Sequence, residues 1–175
     1  MPVYLEVRVK NFLRLVFIAS AFIPNFLMTY SLAFAAGDFP ESLNVNITPG
    51  SLCRNGSQFR YPEKIKYCTR QVSTSTKDEI MKKYDQSLGY SVNRRDRREF
   101  KIDHYIPLCA GGSNEVANLW PQHQTIYQNT DPLEPLICEK MAKGVLFQRE
   151  AVQFIKKAKA DPFNASAVIA IVKAL

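Results

Sequence analysis

Four cysteines place the strongest constraint on how this chain of 175 residues can fold. All of them, Cys53, Cys68, Cys109 and Cys138, follow an apolar N-terminal segment, and an even count in a chain routed to an oxidising compartment indicates two disulfides. Three pairings are open. We favour Cys53–Cys68, which closes a short local loop, together with Cys109–Cys138. A zinc site is the alternative, but the chain has no Cys-x-x-Cys pair and its cysteine spacings are wide.

The apolar N-terminal segment has the three parts of a secretory signal peptide. Basic residues precede position 15, no charged residue occurs from 15 to 32, and Ala33-Phe34-Ala35 supplies a small-x-small end. We therefore expect residues 1–35 to be a signal peptide and residues 36–175 to be one exported domain, periplasmic or secreted. An uncleaved membrane anchor is the alternative, although Pro24 and Asn25 interrupt the apolar stretch. Once the signal is removed, we expect no stable membrane association.

The rest of the chain has the composition of a globular domain with a basic surface. Hydrophobic residues make up 46% of the sequence and charged residues 22%, which excludes a disordered tail and a low-complexity linker. Loss of residues 1–35 lowers the net charge only from +7 to +5, because three basic residues and one acidic residue go with them. Such a surplus fits a polyanionic partner, and it also fits a merely soluble protein.

Local patterns predict a mixed domain whose C-terminal part, residues 131–175, is helical. A helix is expected over 75–84, with Thr76 and Glu79 as a capping box, and Phe100 to Leu108 is typical of a strand entering a core. Pro121 is expected in the first turn of a helix running to about residue 129. Further helices are predicted over about 131–144, 147–159 and 164–175.

The most basic stretch runs from residue 91 to residue 101. Its cations are candidates for phosphate contact, and a solvated loop is the alternative interpretation. The candidate nucleic-acid-binding residues are Arg94, Arg95, Arg97, Arg98 and Lys101.

A dense motif follows this stretch. Ile102-Asp103-His104-Tyr105-Ile106-Pro107-Leu108 leads into Gly111-Gly112-Ser113-Asn114 and then Asn118-Leu119-Trp120-Pro121-Gln122. The chain's two histidines, His104 and His123, lie in it or beside it. The motif resembles the HNH, or His-Me finger, nuclease family, and more closely a small exported branch of bacterial type. The resemblance is strong over residues 102–122 and weak from Thr48 to about Lys159.

The resemblance implies an α+β fold in which a β-hairpin and a helix (ββα, about residues 99–130) grip one divalent metal, with additional helices around them. It makes His104 the general base that activates water, Asp103 a metal ligand, and Asn118 the residue that holds the hairpin loop. The sequence departs from the family at the second metal ligand. Asn129 is our first candidate there, His123 the second and Gln128 the third.

The residue types suit this chemistry independently of the resemblance. Imidazole titrates near neutral pH and can take a proton from water, while a neighbouring carboxylate can hold a hard cation. Mg²⁺ is the expected metal, with Mn²⁺ or Zn²⁺ as alternatives, because it needs few protein ligands. Adjacent strand residues point to opposite faces, however, so Asp103 and His104 can share a site only where the strand ends or twists.

These features predict an enzyme, a metal-dependent endonuclease that hydrolyses phosphodiester bonds in DNA, with RNA as a second substrate. No base-reading module is evident, which predicts low sequence specificity. We expect a monomer. The alternative is an exported, non-catalytic nucleic-acid-binding or envelope protein that keeps the fold, and a secreted toxin or effector nuclease is a third hypothesis.

Overall fold

A computed structural model of the chain describes residues 37–175, and the predicted signal peptide lies outside them. The elements in chain order are β1 (Gln58–Arg60), β2 (Ile65–Tyr67), α1 (Thr74–Leu88), β3 (Phe100–His104), β4 (Leu119–His123), α2 (Gln124–Thr130), α3 (Leu133–Ala142), α4 (Gln148–Ala160) and α5 (Ala165–Ala174). Short 3-10 turns lie between several of them. The fold class is α+β, as predicted.

Two antiparallel hairpins form the sheets of the described residues. β1 pairs with β2, and β3 pairs with β4 in a register that sets Phe100 opposite His123 and His104 opposite Leu119. A long loop joins β3 to β4, and α2 follows β4 directly. The order of elements from residue 100 to residue 130 is therefore strand, strand, helix.

The prediction that a helix begins near Pro121 is wrong. Pro121 lies inside β4, opposite Ile102, and α2 begins three residues later at Gln124. A proline lacks the amide hydrogen that a central strand needs, but each strand of a two-stranded sheet has a free edge on which that lack costs nothing. His123 caps α2, because its Nδ1 accepts a hydrogen bond from the Thr125 amide at 3.3 Å.

The first long helix also starts differently from the prediction. Ser73, rather than Thr76, is its N-cap, and its Oγ accepts the Thr76 amide at 3.0 Å. The helix ends at Leu88 and is capped by Gly89, whose φ of 74° is a left-handed conformation that glycine adopts without strain. Its inner face buries Ile80, Met81 and Tyr84.

The core has two hydrophobic clusters, and residues of the β3–β4 hairpin or its loop belong to each of them. One cluster packs α1 and α2 against hairpin residues such as Ile102, Leu119 and Trp120. The other packs the three C-terminal helices together with Ile65 and Ile106. The loop of the hairpin is thus held between two cores, which fixes the position of the motif residues.

Both favoured disulfides are present. Cys53 bonds Cys68, with the two Cα atoms 5.7 Å apart, and Cys109 bonds Cys138 at the same Cα separation. The first joins the loop before β1 to the segment after β2. The second joins the hairpin loop to α3.

Candidate functional site

His104 is the last residue of β3, and its imidazole is buried with a defined partner on each nitrogen. Nδ1 lies 3.2 Å from a guanidinium nitrogen of Arg70, and Nε2 lies 3.0 Å from Oδ1 of Asn114. A guanidinium can only donate, so Nδ1 is the acceptor and the ring proton sits on Nε2, where it is donated to Asn114. The neighbours therefore define one neutral tautomer, in which Nδ1 carries the lone pair.

The surroundings of His104 favour its neutral form. Burial lowers the pKa of His104 below the ordinary value for histidine, and the positive charge of Arg70 acts in the same direction. The hydrogen bond to Asn114 opposes these effects without reversing them. An imidazole of this kind is available as a proton acceptor at neutral pH and below.

Arg70 brings a free positive charge to the same place. One of its guanidinium nitrogens donates to the Ile102 carbonyl at 3.0 Å, and the other faces His104. Within residues 37–175, no carboxylate lies at ion-pair distance from this guanidinium. An arginine that is held by backbone and imidazole contacts keeps donors for a phosphate, which it can contact through two of its N–H groups.

Asn114 connects the hairpin loop to the segment that carries Arg70. Its amide nitrogen donates to the Thr69 carbonyl at 2.7 Å, and its Oδ1 also accepts the Gln71 amide at 3.2 Å. The Cys53–Cys68 disulfide lies two residues before Arg70. Disulfide and amide contacts together hold Arg70 against His104.

Asn118 holds the hairpin loop itself. Its fully buried side chain accepts the Ile106 amide at 2.9 Å and donates to the carbonyls of Ile106 and Ser113, each at 2.9 Å. Gly112 makes this arrangement sterically feasible, because a Cβ there would lie 1.8 Å from the Ile106 carbonyl oxygen. The side chain thus fixes the chain two residues beyond His104.

We expect Asn118→Ala to lower the free energy of unfolding by about 2 kcal/mol, since three buried backbone groups would lose their partner. Urea denaturation of both proteins measures the difference. Asn129→Ala is a matched control: that side chain is exposed and donates only to the Thr125 carbonyl, so its loss should change stability by less than about 0.5 kcal/mol. Equal effects of the two substitutions would contradict the role given to Asn118.

Asp103 lies beside His104 but faces a lysine. Its Oδ2 accepts a hydrogen bond from Lys159 Nζ at 2.6 Å, and Lys101 Nζ lies 3.7 Å from Oδ1. Burial opposes ionisation, but the charges of Lys159 and then Lys101 outweigh it, so the pKa of Asp103 lies below its ordinary value. Lys159 also donates to the His104 carbonyl, so this buried ammonium joins α4 to the end of β3.

The three residues expected to hold the metal do not converge. His123 pairs with Phe100, three positions along the ladder from Asp103, which separates the two backbones by about 10 Å. Its ring stacks on Phe39 at 3.9 Å between centroids and its Nδ1 is used in the cap of α2, while the Asn129 amide is turned to the Thr125 carbonyl. Within residues 37–175, no group of three or more His, Cys, Asp and Glu side chains is arranged to bind a metal ion.

The donor set therefore does not fit a divalent cation at Asp103 in this arrangement, because the carboxylate already faces two ammonium groups. We derive no step through a metal from these residues. The expectation of Mg²⁺, which comes from the resemblance, stays a prediction.

Most of the predicted phosphate-binding stretch is neutralised by nearby carboxylates. Arg95 pairs with Asp38 and Glu99, and Lys101 pairs with Asp131 at 2.6 Å. Arg97 is also paired, with Asp78, and Arg98 is paired with Asp96. Of the five cations, only Arg94 has no carboxylate partner among the described residues, so this stretch contributes little net positive charge.

Sequence reasoning missed Lys159, although its spacing carries a usable signal. Lys159 follows Ile155 by four residues, so it lies on the buried face of α4. A lysine on such a face needs an anionic partner, and the motif contains one in Asp103. The contact between Asn114 and His104 depends on tertiary structure, so the motif alone does not reveal it.

Comparison of the chain with protein-family models, with curated proteins and with solved structures finds no match. The resemblance to the HNH family therefore depends on the motif residues alone. Among the helices of residues 37–175, none combines the length and the apolar character that a membrane span requires.

Proposed function

We propose that this chain hydrolyses phosphodiester bonds in nucleic acid, DNA first and RNA as a second substrate, with His104 as the general base. One observation carries the proposal: a histidine held in its neutral form lies 3.2 Å from a guanidinium that has no carboxylate partner among the described residues. A base can activate the attacking water, and a cation beside it can stabilise the charge that develops on the phosphate, so the pair supports hydrolysis of a phosphodiester. The two disulfides are compatible with an exported enzyme.

The contacts suggest how the reaction would begin. A substrate phosphate would draw the guanidinium of Arg70 toward its oxygens, and this would free the Nδ1 lone pair of His104. A water molecule would then give its proton to Nδ1 while its oxygen bonds to phosphorus and the bond to the leaving oxygen breaks. The leaving oxygen would depart with the bonding electron pair and take up a proton from solvent. Asn114 would continue to accept the Nε2 proton, which keeps the ring oriented as it becomes positively charged.

Asn118 would act as a positioning residue. Its three hydrogen bonds fix the loop that follows His104, so the imidazole meets substrate in one orientation. Such fixed geometry lets a proton transfer proceed without reorganisation of the site.

Cleavage of supercoiled plasmid DNA by the oxidised protein tests the proposal. Parallel reactions contain Mg²⁺, Mn²⁺, Zn²⁺ or EDTA, and a second set contains a structured RNA. We expect nicked and linear products without sequence preference, suppressed at high salt because phosphate contacts are electrostatic. A folded protein that cleaves neither DNA nor RNA in any reaction would overturn the proposal.

A second candidate function is nucleic-acid binding without catalysis by an exported or envelope protein. The observation that favours it is the failure of Asp103, His123 and Asn129 to form one metal site. It predicts binding that is unchanged by EDTA and no cleavage under any of the conditions above.

The pH dependence of cleavage gives a further prediction. Because neutral His104 is the active form and its pKa is lowered, activity should rise with pH and level off with a midpoint below about 6.5, the ordinary histidine value. Initial rates between pH 4.5 and 8.5 at constant ionic strength measure the midpoint. A midpoint above 7 would be inconsistent with a buried histidine beside Arg70 as the base.

A further inference from the structure

A second concentration of positive charge lies beside Cys53, whose disulfide partner Cys68 is two residues before Arg70. Three cations from separate parts of the chain line one hollow of about 620 Å³: Arg54 from the loop after Cys53, Lys66 from β2 and Lys156 from α4. None of the nine residues lining the hollow carries a carboxylate. None of the three cations forms an ion pair with a carboxylate of residues 37–175.

Backbone contacts hold two of these side chains in place. Lys66 Nζ donates to the Arg54 carbonyl at 2.6 Å, and Lys156 Nζ lies 3.4 Å from the Pro49 carbonyl oxygen. Each ammonium keeps further N–H donors, because it has three. These three charges are not neutralised by carboxylates, in contrast to those of Arg95, Arg97 and Arg98.

The hollow adjoins the site of His104. Ile106, which forms part of its wall, is two residues beyond His104, and Ser51 in its lining accepts the Ser113 amide at 3.0 Å through its carbonyl. Cys53 lines this hollow, while its disulfide partner Cys68 lines a neighbouring polar hollow that contains Asn114. The Cys53–Cys68 disulfide thus connects the lining of the hollow that contains Asn114, a partner of His104, to the lining of the hollow that contains the three cations.

We propose that this hollow binds the phosphate backbone of a nucleic-acid strand that flanks the bond placed at His104. The inference deepens the proposed function and rests on it for the identity of the strand. Leu52, Ile106 and Val152 provide an apolar wall that suits the sugar faces, and the cations face the phosphates. No base-reading arrangement is needed, so the contact would be independent of sequence.

Fluorescence anisotropy of a labelled single-stranded 20-mer tests the inference in EDTA, with salt titrated from low to physiological concentration. We compare wild type with the triple variant Arg54→Gln/Lys66→Gln/Lys156→Gln. Each lost phosphate contact lowers the slope of log affinity against log salt by about 0.7, so the triple variant should lose about 2 from the slope and bind about 100-fold more weakly near 0.1 M salt. Thermal unfolding verifies that the variant is folded.

A control that removes the same charge elsewhere is Arg94→Gln/Arg97→Gln/Arg98→Gln. These side chains belong to the stretch that the sequence predicts to contact phosphate, and two of them are already paired with carboxylates. We expect little change in its salt slope. A larger loss in this control than in the hollow variant would overturn the inference, as would binding by the hollow variant equal to that of wild type.

The outcomes separate this inference from the proposed function. If wild type cleaves plasmid and the hollow variant binds DNA normally, the assignment of the hollow to DNA binding is wrong, while the proposed hydrolase activity is retained. If wild type binds DNA through the hollow but cleaves neither DNA nor RNA, the assignment of the hollow is retained and the proposed hydrolase activity is wrong. Vesicles containing anionic lipid are tested in parallel, and binding to them alone would overturn the assignment to nucleic acid.

Discussion

Replacing Lys159 with methionine is expected to lower the free energy of unfolding by about 3–5 kcal/mol, the usual cost of leaving one member of a buried ion pair without its partner. The ammonium is buried, and it contacts both the Asp103 carboxylate and the His104 carbonyl. Methionine fills a similar volume but offers no charge, so Asp103 would be buried unpaired or forced to take up a proton. Urea denaturation at pH 7 measures the loss.

Two companion variants isolate the cause. Lys157→Met changes an exposed lysine on the same helix and should alter stability by less than about 0.5 kcal/mol. The double variant Asp103→Leu/Lys159→Met removes both charges and should be more stable than Lys159→Met alone, because no unpaired charge stays buried. If the single and double variants were equally unstable, lost packing rather than lost pairing would explain the effect.

The stability that the Asp103–Lys159 pair contributes depends on pH in a direction that can be predicted. The pKa of Asp103 is lowered in the folded state, so folding is favoured by its ionised form. The resulting stability is complete above about pH 4, the ordinary range of an aspartate, and is lost as pH falls through the lower folded-state pKa. Wild type should therefore lose this contribution as pH falls below about 4, which urea denaturation at a series of acidic pH values measures.

Features that depend on residues close in sequence were predictable. The end of α1 at Gly89 and the helices after residue 131 follow local rules of capping and apolar spacing. The disulfide pairing was also favoured correctly, because Cys53 and Cys68 are near each other in the chain. The motif predicted that Asn118 would hold the loop, and its three hydrogen bonds do connect the two ends of that loop.

Features that depend on distant segments were not predictable. Pro121 suits a helix start as well as an edge strand, and only pairing with Ile102 decides between them. The charge of Arg95 is neutralised by Asp38, which lies 57 positions earlier, and Asp103 is paired with Lys159 from α4. The charges along a sequence do not reveal such distant partners, so the sequence did not show that most of the expected cation patch is neutralised or that Asp103 is paired with a lysine.

Replacing His104 with alanine is expected to reduce the rate of plasmid cleavage by about 10²–10⁴-fold, the contribution typical of a general base. The loss should appear in the rate with saturating DNA and leave DNA affinity nearly unchanged, because Arg70 and the hollow residues remain. Quantified nicking rates and anisotropy on the same preparations measure both quantities.

His123→Ala provides the matched control, because it removes the chain's other histidine. His123 caps α2 and stacks on Phe39, so this change should lower stability by about 1 kcal/mol while most of the cleavage activity is retained. Loss of cleavage in both variants would instead favour His123 as a ligand or a second base and would contradict the geometry. Added imidazole distinguishes the remaining cases: it should restore part of the activity of His104→Ala if the missing group is a proton acceptor, and none if the substitution only distorts the hairpin.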